Sequence, residues 1–224
     1  MQFQRGNIGE YFKRDPTIQR LYTFNGNLID DSKHYNGSGS VSGYLPSKFP
    51  QLSAWFNNDE NKYVYIGGAS DLGFVPKSIL FWFKCVGQKT SGGYQILRKG
   101  DYGVHLYIDS GNNNKLQYTI WTSSGQTRNI TSLQPVNDKK WHFACCINTG
   151  SQIQMWLDGV LQGTNTGGSE YHSNNKYPTV GRDYVASVNT AFDGQIGEFA
   201  IFSRALSPQE ISRYYKWATG VAKR

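Results

Sequence analysis

Between Trp141 and Thr164 the chain alternates apolar and polar residues twice in succession, and the pattern predicts a β-hairpin. Trp141, Phe143, Cys145 and Ile147 share one face of the first run. Ile153, Met155 and Leu157 share one face of the second, the period of two that strands require. The turn between them is Asn148-Thr149-Gly150-Ser151, and Asp158-Gly159 turns the chain again into Val160 to Thr164. Further short runs with strand character are Leu21 to Phe24, Ser53 to Phe56, Lys62 to Ile66, Tyr94 to Arg98, Val104 to Ile108, Leu116 to Trp121, Pro178 to Gly181 and Phe192 to Phe202. Ser78 to Val86 is apolar on both faces, which predicts a strand covered on each side.

One helix is expected, at the end of the chain. Ser207 can cap it, Pro208 suits its first turn and Glu210 closes a capping box. Ile211, Tyr214, Tyr215 and Ala218 follow helical spacing up to Gly220. Residues 1–19 lack alternation and contain Asp15-Pro16, so an extended arm is expected there. The expected plan is an arm over 1–19, one all-β domain over 20–206, and a helix with a basic tail over 207–224.

A chain of 224 residues, 38% hydrophobic and 15% aromatic, can bury the core of a single sandwich domain. Its net charge of +7 is unevenly placed: +2 falls within residues 1–20 and +4 within 204–224, leaving +1 for the middle. A nucleic-acid reader concentrates charge on its reading surface, so nucleic acid is not expected as a partner. The basic ends, with Arg5, Lys13, Arg14, Arg213, Lys223 and Arg224, point instead to solvated termini or to docking on an acidic partner surface. Trp217, beside Lys216, is either a docking residue or packing beneath the arm. No apolar run has the length of a secretory signal or a membrane span, so cytosolic synthesis without membrane insertion is expected. Cys85, Cys145 and Cys146 are expected as buried free thiols, with a Cys85–Cys145 bridge as the alternative.

Several segments, in order, resemble the concanavalin A-like, laminin G-type family: Leu21 to Asn27 with Asp30-Asp31-Ser32, Trp141-His142, Met155 to Val160, Val180-Gly181-Arg182, Phe192 to Glu198 and Ser203 to Ser207. The resemblance implies an all-β, two-sheet antiparallel jelly-roll sandwich whose first and last strands lie close together. That fold hosts glycan binders, adhesion modules, glycosidases and structural domains, so function must come from a site.

Enzymes of the family that cleave β-glucans carry two glutamates flanking an aspartate on one strand, and no such run occurs here. Catalysis is therefore not expected, and the histidines lack zinc-ligand spacing. For calcium, the resemblance offers Asp30 and Asp31 in the first loop and Glu198 in the last strand, although Gly197 stands where the family commonly has an aspartate. For a glycan, Trp121 and Trp156 lie out of phase with their apolar neighbours, while Tyr102, Arg182, Asp183 and Tyr184 lie in loops. Trp55, Trp82 and Trp141 are assigned to the core. The expected function is a non-catalytic carbohydrate- or surface-binding module, displayed on a virion such as a phage capsid or tail, or otherwise extracellular. A purely structural decoration protein docked through its ends and a glycoside hydrolase of the same fold are the alternatives.

Overall fold

A computed structural model describes residues 8–12, 15–49, 51–67, 77–100, 103–122, 125–167, 177–183 and 190–220 of the chain. Its strands are β1 (Ile18–Tyr22), β2 (Ser38–Ser40), β3 (Gly43–Pro46), β4 (Leu52–Asn57), β5 (Tyr63–Tyr65), β6 (Ser78–Cys85), β7 (Gly93–Arg98) and β8 (Val104–Asp109). They continue as β9 (Lys115–Trp121), β10 (Thr127–Pro135), β11 (His142–Asn148), β12 (Gln152–Leu157), β13 (Val160–Thr166), β14 (Thr179–Val180) and β15 (Asp193–Phe202). Among the described residues two α-helices, α1 (Ile8–Tyr11) and α2 (Pro208–Thr219), flank them. The first sheet runs β13-β12-β11-β6-β15-β4-β3, with β1 added against β15, and the second runs β10-β9-β8-β7-β14-β5-β2. All pairings are antiparallel, and the first strand lies against the last, as the jelly-roll resemblance implies.

The predicted hairpin is β11 and β12, with β13 after the Asp158-Gly159 turn. Its two apolar runs do not share a layer. Ile153, Met155 and Leu157 enter the core between the sheets with Ala144 and Cys146, whereas Phe143, Cys145 and Ile147 enter a second cluster on the far face of the first sheet. The strand β6 behaves the same way: Ile79, Phe81 and Phe83 point inward, and Leu80 and Trp82 point outward into the second cluster. All three cysteines are buried and free, with Cys85 in the central core and Cys145 in the outer cluster.

That outer cluster explains both chain ends. The helix α2 forms as its sequence predicts, with the Ser207–Glu210 capping box complete and Gly220 in the left-handed conformation at φ 72°. Ile211, Tyr214 and Ala218 are its buried stripe. The stretch read as an extended arm folds differently. Ile8 and Phe12, four residues apart, are 0% and 6% exposed and pack beside Tyr214 and Phe202, and the first strand begins at Ile18 rather than Leu21. Burying two such side chains contributes about 1.5–3 kcal/mol each toward docking the segment. Arg204 fastens the two ends: its Nη1 and Nη2 donate to the Glu210 carboxylate at 3.0 and 2.7 Å, and its Nε donates to Asp15 at 3.0 Å.

The strands β2, β3 and β10 lie outside the runs with strand character in the sequence. In β10, Thr127–Pro135, Ile130 and Ser132 are the buried residues, so an edge strand with one buried apolar residue shows almost no hydrophobic period.

Candidate binding groove on the second sheet

Alternation sorts the second sheet into two faces. Tyr94, Val104, Leu106, Ile108, Leu116, Tyr118 and Ile120 point into the core. Their neighbours therefore point outward. A bulge in β7, where pairing with β8 shifts between Gln95 and Leu97, sends both Ile96 and Leu97 inward and leaves Gln95 and Arg98 on the outer face. Pairing then aligns the outer residues in rows across the strands. One row is Tyr65, Thr179, Arg98, His105, Thr119 and Asn129. The adjacent row is Gln95, Tyr107, Gln117 and Thr131. At the other flank Trp121 pairs with Thr127.

The part of these rows carried by β7, β8, β9 and β10 floors a cavity of about 550 Å³ whose lining includes Arg98, His105, Tyr107, Gln117, Trp121 and Asn129. Trp121 is half-buried, and its ring centroid lies 4.3 Å from that of His105 and 5.7 Å from the Arg98 guanidinium carbon. Arg98 Nη1 donates to His105 Nδ1, so the ring proton of the neutral His105 resides on Nε2. Burial, then the charge of Arg98, drive the His105 pKa down to about 2. The imidazole is consequently neutral across the physiological range, a polar wall rather than a cation. Arg98 Nε also stands 3.6 Å from Asp183 Oδ1. In the second row the Tyr107 hydroxyl donates to Gln117 Oε1, Thr119 Oγ1 reaches the same oxygen at 3.2 Å, and Gln117 Nε2 donates to Thr131 Oγ1 at 3.2 Å. The amides are thus held in fixed orientations by their neighbours.

Beyond Arg98 the outer face changes character. Tyr63 and Tyr65 meet edge to face at 4.7 Å, Tyr65 and Tyr177 lie 5.1 Å apart, and the Arg182 guanidinium sits 3.6 Å over the Tyr63 ring. Arg182 Nη1 is anchored on the Glu60 carbonyl at 2.6 Å.

Of the sequence candidates, Trp121, Asp183 and Arg182 thus share the outer face of the second sheet. Trp156 does not join them: it pairs with Cys145, faces the outer cluster of the first sheet, and bonds Gln154 Oε1 at 3.4 Å. Trp82 is fully buried, Trp141 is half-buried against the outer cluster, and Trp55 is half-buried on β4. Trp217 packs 5.1 Å from Tyr11 of α1, and Arg213 is exposed on α2. Arg5, Lys13, Arg14, Tyr102, Tyr184, Lys223 and Arg224 lie outside the described residues.

The calcium candidates occupy separate places. Asp30 is 1% exposed and accepts from the backbone of Leu21, Ser32, His34 and Tyr35 at 2.8–3.1 Å, which uses its carboxylate to shape the loop. Asp31 is exposed at the rim of a second cavity of about 580 Å³. Glu198 is buried beneath α1 and α2, accepting from Ile8 N at 2.7 Å, Gln51 Nε2 at 2.9 Å and the Tyr214 hydroxyl at 3.2 Å. At Gly197 a Cβ would stand in ordinary van der Waals contact with the Trp141 ring and the Trp82 Cβ, both at 3.4 Å. Among the described residues no three His, Cys, Asp or Glu side chains gather around a common metal position.

Gln95, Arg98, His105, Tyr107 and Gln117 are the groove residues that the sequence reading did not single out. His105 and Tyr107 carry a usable signal, since they alternate with Val104, Leu106 and Ile108.

A laminin G-type family model described as the concanavalin A-like lectin/glucanases superfamily matches residues 53–212. No curated protein matches the chain in sequence. Among solved structures, domain 4 of AbnA, an extracellular GH43 arabinanase of Geobacillus stearothermophilus in complex with arabinotriose, superposes with a TM-score of 0.71 at 16% identity, covering 89% of this chain and 98% of that one. The binding domain of Paraclostridial Mosquitocidal Protein 1 gives 0.72 at 13%, and that of botulinum neurotoxin serotype G gives 0.65 at 20%. Coverage of this chain is 89% and 88%, and the chain spans about half the length of each toxin domain, 52% and 50%. At these identities the likeness establishes a shared fold.

Proposed function

This chain belongs to the concanavalin A-like lectin/glucanase superfamily, and we propose that it is a non-catalytic binding module that takes a carbohydrate into the groove around Trp121. The observation that carries the reading is the combination on one face of an indole, a neutral imidazole, a guanidinium–carboxylate pair and oriented amides. A sugar ring presents C–H groups that pack on an aromatic face and hydroxyls that need both donors and acceptors, and such a wall supplies each. The similarity to an arabinanase domain holding arabinotriose is consistent with it.

Retaining glycoside hydrolysis needs two facing carboxyls about 5–5.5 Å apart. Asp183 is engaged by Arg98, and Glu198 is buried on the other side of the first sheet among α1 and α2. This favours recognition over hydrolysis. On a glycan array the protein should bind at least one oligosaccharide class, and Trp156→Ala, on the opposite face, should bind it equally well. Silence across the array would end the reading.

Attachment to a larger assembly such as a virion capsid or tail is the second half of the proposal. Its support is geometric: the helix layer with exposed Arg213 and Lys216 covers one face of the sandwich, and the groove opens on the other. The double charge reversal Arg213→Glu with Lys216→Glu should then release the protein from the particle fraction of its source. Unchanged sedimentation with particles would refute that half.

A further inference from the structure

We propose that His142 is a pH-responsive tie that holds the seat of α2. As an imidazolium it bridges the loop before β11 to the turn between β12 and β13, and losing one proton releases one side. Both ring nitrogens are committed. His142 Nδ1 lies 2.7 Å from Asp158 Oδ2 and Nε2 lies 2.9 Å from Asp138 Oδ1, on a side chain that is 12% exposed. An ionised carboxylate only accepts, so each contact requires an N–H, and an imidazole with two N–H groups is a cation. A neutral ring has one donor. On deprotonation one nitrogen turns a lone pair toward a carboxylate oxygen, and that side must open.

The groups that act on the ring come from both sides of it. Burial alone would lower the His142 pKa, but the bonds to Asp158 and then Asp138, with their charges, raise it above the ordinary 6.5. Lys140 stands 3.2 Å from Asp138, Tyr215 of α2 feels the charge of Asp158, and β6 presents the Phe83 ring 5.6 Å from the imidazole. Because the folded pKa is raised, the tie contributes fully below pH 6.5 and is lost as pH rises through the folded value.

The turn shows what the tie holds. Asp158 adopts φ 52° and Gly159 φ 78°, and a left-handed conformation outside glycine persists only where its surroundings hold it. Asp158 Oδ1 accepts from Phe143 N at 2.9 Å, and Asp158 N donates to the Phe143 carbonyl at 2.8 Å. The helix rests directly on this turn: a Cβ on Gly159 would stand 2.6 Å from Tyr215 Cδ1. Tyr215 in turn stacks on Trp82 and Phe143, with ring centroids 6.1 and 6.0 Å away. Loosening the turn therefore reaches α2 through one ring, and α2 carries the exposed Arg213 and Lys216.

The test compares the full-length wild type with Asp158→Asn by hydrogen exchange from about pH 6 to 9. Asparagine suits the left-handed turn, its Oδ1 still accepts from Phe143 N, and its Nδ2 donates to the bare nitrogen of a neutral His142. Both bonds then survive deprotonation. Glu198 titrates in the same range beneath the same helix, but the two proteins share it. Relative to the variant, protection of the Phe143 amide and of α2 should fall about tenfold in the wild type across that range, the scale of one charge-assisted hydrogen bond. Asp138→Asn, which offers the same donor on the other side, should behave like Asp158→Asn. NMR of the imidazole nitrogens should show two N–H groups on His142 at the acid end and one at the alkaline end. A constant ratio between the wild type and both variants, or a single N–H at the acid end, would overturn the proposal. A response at Phe143 without one in α2 would overturn its reach to the helix.

Discussion

Trp121→Ala should cost the protein at least about thirtyfold in affinity for the glycan it recognises, the loss of roughly 2 kcal/mol that marks an aromatic anchor in a binding site. Among the described residues that line the groove the indole is the largest aromatic surface, and His105 and Arg98 are arranged around it. Removing it takes away the surface on which a sugar face can pack and lets water reach the His105 ring. The fold should tolerate the change. Trp121 ends its strand half-buried on the outer face, whereas Ile120 beside it is fully buried in the core. Thermal unfolding should therefore shift by only a few degrees while titration with the ligand shows the loss. Wild-type affinity in a folded Trp121→Ala protein would remove the groove from consideration.

Glu198→Gln should abolish most of the pH dependence of stability between pH 5 and 8. Burial raises the Glu198 carboxyl to about pKa 8, against the opposing hydrogen bonds from Ile8, Gln51 and Tyr214, and the nearby charge of Glu10 adds to the rise. Because the folded pKa lies above the unfolded value, the protonated folded state is favoured fully at pH below about 4.5. As pH increases, the unfolded chain releases its proton first, and stability falls by up to about 1.4 kcal/mol per pH unit until the folded carboxyl also ionises near 8. Glutamine keeps the shape without the charge. Its carbonyl can accept from Ile8 N and the Tyr214 hydroxyl in place of Oε2, while its amide meets Gln51 after that side chain turns over. The two proteins should match near pH 4.5, and the variant should be more stable by roughly 4 kcal/mol at pH 8.5. Denaturant midpoints measured at both values decide the matter. Parallel curves for wild type and variant would mean that Glu198 does not titrate under α1 and α2.

Hydrophobic pattern revealed the fold where strands are long or are buried on both faces. The runs at β6, β11 and β12 alternate over enough residues to be unambiguous, and α2 advertises its start with Ser207, Pro208 and Glu210. In β10 a single buried isoleucine gave no period to read. The clasp at α1 escaped because two apolar residues four apart, Ile8 and Phe12, are too few to separate a docked turn from a solvated arm.

The groove was legible in part for a comparable reason. Phase along a strand says that Trp121 and Trp156 both point away from the central core, but not which sheet each strand joins or what covers its outer face. The structure puts one over open groove and the other beside the helix layer. Arg98 was hidden by the bulge at Ile96 and Leu97, which shifts the register by one and reverses the face that simple alternation would give. The duties of Asp30 and Glu198 depend on backbone donors contributed from elsewhere in the chain, which residue identities do not encode.

The bond from Ile8 to Glu198 joins residues 190 positions apart, and its strand neighbour β1 pairs with β15 over a similar span. On the ribosome this half of the first sheet must wait. Until β15 has left the exit tunnel, Ile8 and Phe12 have no partner, and until α2 follows, Trp82 and Phe143 lack the lid that α2 provides. Such distant closures slow folding because their loop entropy is spent before any contact compensates for it. A synthesis pause late in the chain would leave an apolar face uncovered at the moment when the nascent protein is most open to aggregation or chaperone capture.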